Sequence, residues 1–134
     1  MFGKNTAYCF LTGAVGYPAL ELIVRGRTHW SMALAGGICL AGIHRINQRM
    51  HGKKLALRAA AGALLITTVE FAVGLMVNCA LGWNVWDYSD RPLNLLGQVC
   101  PSFTGIWFGL CLGAFSVLDR IEEHGKNVAQ NAYM

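Results

Sequence analysis

Two glutamates stand inside apolar sequence, and their chemistry is the first thing the chain asks a reader to explain. Glu21 lies near the end of the apolar run 6–24, and Glu70 lies near the middle of the run 57–81. An ionised carboxylate in hydrocarbon costs about 2–4 kcal/mol even on lenient insertion scales. Such a group therefore faces a bundle interior or water, and it finds a partner or takes up a proton. Arg25 follows Glu21 by four residues, one helical turn, in the favourable acid-before-base order. Glu21 thus reads either as a structural ion pair at a helix end or as a site residue. Glu70 has no Lys or Arg within ten residues on either side; only Thr67, Thr68 and, two turns on, Asn78 offer polar groups. It reads as lining a polar site, with hydrogen bonding between helices as the alternative.

A second group of chemically capable residues runs through Trp83-Asn84-Val85-Trp86-Asp87-Tyr88-Ser89-Asp90-Arg91-Pro92-Leu93-Asn94, with Gly97 and Gln98 beyond. Trp and Tyr settle at headgroup level because their rings are amphipathic, so an aromatic belt on a surface loop is one reading. The polar turn residues before Pro92 support the other, a loop that dips into the bundle and ends at a helix start. Backbone N–H groups there can hold an anion or carboxylate. From the residues alone, Glu21 and Glu70 are the leading candidates for binding a solute or ion. A third set, Gly105, Gly109 and Gly113, repeats every four residues and fits close helix packing within a chain or between chains.

These residues need elements to carry them, and composition says which. The chain has 134 residues, 54% hydrophobic and 13% charged, with a mean hydropathy of +0.41. Soluble domains carry about 25% charged residues. The expected fold is therefore an all-α membrane protein in one domain, with four transmembrane helices at about 6–24, 30–46, 57–81 and 95–118. A partly re-entrant loop would precede the last span, and a flexible polar tail would occupy about 122–134. Lys4 before the first apolar run resembles a signal peptide's n-region, but no clean cleavage site follows, so a retained helix is expected.

Two further expectations follow from this layout. With four spans, the side holding both termini would carry eight basic residues: Lys4, Arg45, Arg49, Lys53, Lys54, Arg58, Arg120 and Lys126. The other side would carry Arg25, Arg27 and Arg91. That bias places both termini in the cytoplasm. The halves also resemble each other, with Glu21 matching Glu70 and Leu34 through Cys39 matching Leu95 through Cys100, as a parallel two-helix repeat would.

Several classes fall away. The net charge of +4 is concentrated in the stretch 45–58 and not spread over a face, so nucleic acid is not the expected partner. That stretch also suits anionic lipid headgroups. Cys9, Cys39, Cys79, Cys100 and Cys111 lie in or beside apolar segments without ligand spacing, and read as reduced, buried thiols. No P-loop, GxSxG or HExxH motif is present, so neither an enzyme, nor a metal site, nor a bound cofactor is expected.

Trp86-Asp87-Tyr88-Ser89-Asp90, then Leu93-Asn94-Leu95-Leu96-Gly97-Gln98-Val99-Cys100, then Phe103 and Trp107, give the chain a resemblance over about residues 66–120. It resembles the small membrane proteins of the ABC-transporter type IV (CmpB-like) family. In that family a glutamate-bearing helix is paired with a WDYS-type loop, and Glu70 after Thr68 is the matching glutamate. In the first half the family carries a Gly-Pro…Pro-Ile-Tyr-Gly element where this chain has Trp30-Ser31-Met32-Ala33-Leu34-Ala35-Gly36-Gly37. The resemblance implies a multi-span helical fold and a permease-like role, and it adds Asp87, Tyr88, Ser89, Asn94, Gly97 and Gln98 to Glu21 and Glu70 as candidate solute- or ion-binding residues.

The function expected is that of a small transporter- or channel-like, permease-like protein with a carboxylate-lined polar cavity for a small solute or ion. Its partners would be the lipid bilayer, a second copy in a homodimer or larger assembly, and a possible membrane protein. The alternative is a non-transporting scaffold or lipid-binding subunit of a larger complex.

Overall fold

The helix boundaries are set by residues of the expected kinds. A computed structural model describes residues 4–134 as four helices. These are α1 (Lys4–Arg25), α2 (Trp30–Arg49), α3 (Leu55–Gly74) and α4 (Pro101–Ala132). α1 stops at Gly26, whose φ of 71° is the left-handed conformation that closes many helices. His29 is extended and caps α2, its Nδ1 accepting from the Ser31 N–H at 3.2 Å. Extended Cys100 leads into α4, with Pro101 in the first turn, where a missing N–H costs nothing. No strand occurs among the described residues; the sole β-type pairing there is an isolated Leu95–Val99 bridge.

α1 packs on α2, α2 on α3, and α3 on α4. The α1–α2 crossing is close because glycines meet: a Cβ on Gly13 would run into the Gly36 carbonyl, and one on Gly36 into the Gly13 carbonyl. α1 continues through Pro18, one turn past that crossing. α3 and α4 close round Gly62, where an added Cβ would lie 2.7 Å from the Cys111 Sγ. Cys111 and Phe115 are fully buried there.

α3 does not end at Gly74. Leu75–Ala80 continue the same rod as π-helix, with Leu81 N–H bonding the Met76 carbonyl at 3.0 Å and Trp83 N–H the Val77 carbonyl at 2.8 Å. Two of the helical rods, Leu55–Ala80 and Pro101–Ala132, are long and apolar enough to cross a membrane. The connection 81–100 between them is non-helical and folds back on the bundle.

Several expectations need correction. The last helix begins at Pro101, not near 95, because residues 95–100 are committed to the connection. It then runs unbroken to Ala132, so the polar tail is helical; the Lys126–Glu122 pair at 3.1 Å, one turn apart, supports that extension. Of the five basic residues in the stretch 45–58, which four spans would place in the loop between the second and third, Arg45 and Arg49 lie on α2 and Arg58 lies inside α3, leaving only Lys53 and Lys54 in the connection. The matched segments of the two halves differ in conformation, since 34–39 is helical and 95–100 is not. Cys39, Cys100 and Cys111 are buried, whereas Cys79 is exposed.

Candidate functional site: a buried glutamate beneath a folded connection

Glu70 projects from α3 into its seam with α4. The residue is 7% exposed, and its Oε2 accepts a hydrogen bond from Trp107 Nε1 at 3.0 Å. A buried indole N–H needs an acceptor and a buried carboxylate needs donors, so each group answers part of the other's demand. Thr67 and Thr104, whose hydroxyls lie 2.9 Å apart, tie the same two helices. Tyr17 reaches the other side of the indole, with ring centroids 6.0 Å apart.

One turn along the same face of α3 stands Gly74, and the connection rests on it. A Cβ at Gly74 would collide with the Gln98 amide and sit 3.0 Å from the Trp86 ring. Gln98 is buried, and its Oε1 accepts from Asn78 Nδ2 at 2.8 Å. The Asn78 Oδ1 accepts from the Val85 N–H at 2.6 Å, and Trp86 Nε1 donates to the Gln98 carbonyl at 3.0 Å. Asn78 thus clamps both ends of the connection from within the π-wound turn, a helical irregularity frequent at functional sites. Gly74 lies six residues before the end of the rod at Ala80, about 9 Å at helical rise, so the connection dips well into the bundle.

The rest of the connection is a self-bonded knot. Asn94 donates to the Ser89 and Arg91 carbonyls at 3.2 and 2.9 Å, and accepts from the Gly97 N–H at 2.9 Å. Tyr88 N–H bonds the Gly97 carbonyl at 2.7 Å, and the buried Tyr88 ring stacks on Phe103 at 4.5 Å. Gly97 has φ of 73°, and a Cβ there would sit 2.9 Å from the Asp87 carboxylate. Asp87 and Ser89 are exposed, with Ser89 N–H donating to Asp87 Oδ1 at 2.8 Å.

Hydrogen bonds from Ser89, side chain and backbone, hold the Asp87 carboxyl below its ordinary value of about 3.8. The bonds favour the charged form, so their contribution is fully present above that value. It is lost as pH falls through the lower, folded value. Amide exchange at Ser89 is therefore expected to be unaltered by unfolding of this turn from pH 8 to pH 5, after correction for intrinsic rates, and to lose protection only below about pH 3.8.

The predicted residues are thus partly brought together. Asp87, Tyr88, Ser89, Asn94 and Gln98 form one unit, and its deepest residue, Gln98, sits a turn from Glu70. Glu21 is elsewhere: half-buried, it lines a crevice of about 160 Å³ with Arg27, Thr28, His29, Trp83 and Asn84. A second, larger crevice of about 480 Å³ lies between Arg27, Asp87, Tyr88, Asp90, Arg91 and Phe103. Neither of these two crevices is lined by Glu70. The Glu21–Arg25 ion pair rests on a side chain outside the described residues. Gly105, Gly109 and Gly113 face away from the bundle, with nothing within 4 Å of an added Cβ. They do not pack helices within this chain.

Three contributions escaped sequence reasoning. Trp107 has no partner visible in the linear sequence, and Asn78 reads there only as a distant neighbour of Glu70. The third is a polar lock at the far end of α3: Arg58 donates to both carboxylate oxygens of Asp119 at 2.8 and 2.7 Å, and to Asn47 at 3.0 Å. Spacing carries a signal for it, because Arg58 precedes Glu70 by twelve residues and Asp119 follows Trp107 by twelve. In antiparallel helices one such contact implies the other.

No curated protein and no solved structure matches the chain. The family described as Putative ABC-transporter type IV matches over residues 28–133, from the α1–α2 turn nearly to the C-terminus. With that match over most of its length and two helices fit to cross a bilayer, the chain is a membrane protein and belongs to the Putative ABC-transporter type IV family.

Proposed function

We propose that the protein is a four-span, permease-like membrane protein that works as an oligomer and passes a small cationic or polar solute, or protons, by way of Glu70. The observation that carries this reading is the Glu70–Trp107 pair at 3.0 Å, a carboxylate held inside the bundle one turn below a folded polar connection. Acidic groups at such depth are costly, and they commonly mark solute or proton pathways.

In this reading α1 and α2 also span. Their 22 and 20 residues correspond to about 33 and 30 Å of helix, matching a hydrocarbon core of about 30 Å. The basic end, with the 50–54 connection and both termini, then faces the cytoplasm. Solute enters at the opposite end through the crevice of Arg27, Asp87, Asp90 and Arg91. Trp86 and Gln98, seated on Gly74, stand between that crevice and Glu70. The connection is therefore the gate, and Glu70 is the group that exchanges a proton or a solute cation behind it.

Four spans seldom enclose a pathway alone, and the open glycine face of α4 suits a second copy. The same face would also suit a scaffold, and flux separates the two. In liposomes loaded with pyranine, with a potassium diffusion potential set by valinomycin, wild-type protein is expected to speed proton entry over empty vesicles. Glu70→Gln should reduce the increment at least about tenfold. Equal rates for the two proteins, or no increment with wild type, would overturn the reading.

A further inference from the structure

Five aliphatic side chains that α4 leaves open follow a strict order. Ile106, Leu110, Val117, Ile121 and Val128 are each at least half exposed. Ile106, Val117 and Val128 are eleven residues apart, and so are Leu110 and Ile121. Eleven residues in three turns is a period of about 3.67, close to that of the helix itself, so the five form one stripe. It lies opposite the face that buries Phe115 and carries Asp119 to Arg58. From Ile106 to Val117 the stripe needs no protein to cover it, because lipid would serve. Further along, lipid does not reach. A hydrocarbon core takes about 20 residues of helix, and α4 has 32. Beyond Asp119 come Arg120, Glu122, Glu123 and Lys126, so Ile121 and Val128 stand among headgroups and water. The other face of this stretch is occupied, since Glu122 meets His51 of the α2–α3 connection at 3.8 Å. Single exposed aliphatic residues are ordinary. Two that continue the phase of a transmembrane stripe are not.

We propose that this stripe docks a second copy of the chain, α4 against α4, with the two helices parallel. The bilayer gives both copies one orientation, so the two-fold axis runs along its normal and equal residues meet across it. The face is suited to meet itself. It carries no Asp, Glu, Lys or Arg, so no like charges are brought together along it. Its large side chains stand beside Gly109, Gly113 and Gly125, each with nothing within 4 Å of an added Cβ. The ridge of one copy therefore has a groove in the other. The eleven-residue period gives the pair a slight right-handed twist. The inference rests on the oligomer proposed above and names its contact face, and it is independent of what is transported.

The test is disulfide crosslinking of the full chain in membranes, in a Cys79→Ser background that removes the exposed thiol. Ile121→Cys and Val128→Cys lie on the stripe, and Glu123→Cys lies on the far side of the same turns. Under mild oxidation the two stripe variants are expected to give dimers of this chain at a yield at least about fivefold above Glu123→Cys, because a disulfide needs close, facing Cβ atoms. The substitutions fall on open positions outside the bundle, so the fold is kept. Ile121→Glu with Val128→Glu should weaken dimerisation in detergent at least about tenfold by light scattering, since like charges would then face each other. A copy carrying Ile121→Lys with Val128→Lys should restore pairing with it. Dimers that crosslink equally through Glu123→Cys, or that ignore the glutamate pair, would overturn this face and leave an oligomer standing. A monomer at every concentration would overturn both. Proton flux unchanged in Glu70→Gln would overturn the transport reading and leave this face intact.

Discussion

Asp119→Asn is expected to destabilise the protein by about 2–3 kcal/mol, far more than any other surface-reaching charge. Arg58 is 7% exposed, and nearly all its satisfaction comes from Asp119 and Asn47. Its Nε is already buried without a hydrogen-bond partner. Removing the carboxylate charge leaves a guanidinium in a low-dielectric seam with one neutral amide each from Asn47 and the new side chain. Breaking a buried pair by one partner costs about 3–5 kcal/mol. The Asp119 side chain is 39% exposed, and water reaching it brings the figure down. By contrast the exposed Lys126–Glu122 pair is worth only a few tenths of a kcal/mol.

The pair and the guanidinium are separable by a double-mutant cycle. Arg58→Met keeps an apolar stem against Phe115, over whose ring the guanidinium sits at 5.5 Å. With Arg58 gone, Asp119→Asn should cost well under 1 kcal/mol, which makes a coupling of about 1–3 kcal/mol. Denaturant unfolding of the detergent-solubilised protein measures all four corners. A loss below 0.5 kcal/mol for Asp119→Asn would mean the seam is wetter than its geometry implies.

How much of this could be read in advance differs by element. Apolar runs separated by polar breaks point to helices at about 6–24, 30–46 and 57–81, and helical rods stand at 4–25, 30–49 and 55–80, because the bilayer-length pattern needs no tertiary information. The apolar pattern puts the start of α4 too early, since Leu93, Leu95 and Leu96 look like span residues. They are exposed in the connection, and Leu93 and Leu96 take positive φ, which no apolar count reports. Glu70 was legible because a carboxylate among aliphatic residues is anomalous by itself. Its donor Trp107 was not, because an indole in an apolar run is ordinary until the register of two helices is known. Asn78 was hidden for a further reason: the π-wound turn rotates it toward Val85 and Gln98, and a 3.6-residue period does not anticipate that rotation.

That dependence of the connection on one bare stretch of α3 makes Gly74→Leu the most disruptive single change to the site. Even a Cβ at residue 74 collides with the Gln98 amide and crowds Trp86. Neither neighbour is a free end: Gln98 is held through Asn78 and the Leu96 carbonyl, and the Trp86 indole is bonded to the Gln98 carbonyl. Overpacking a well-filled position costs about 1–3 kcal/mol. Here the connection can instead leave its seat, losing the bonds from Asn78 and Trp86 while the four helices stay packed. Amide exchange is the discriminating measurement. In wild type the Val85 and Tyr88 N–H groups are bonded to Asn78 Oδ1 and the Gly97 carbonyl and should exchange slowly. In Gly74→Leu the Val85 amide should exchange about a hundredfold faster, as expected for about 2.7 kcal/mol of lost protection, with amides in the middle of α2 and α3 unchanged. Tyr88 N–H, bonded within the knot itself, should change less than Val85, because that bond survives if 86–99 moves as a unit. Equal acceleration of both, or of the helices as well, would show that the seat on Gly74 holds more than the connection and that the connection cannot move independently of the bundle.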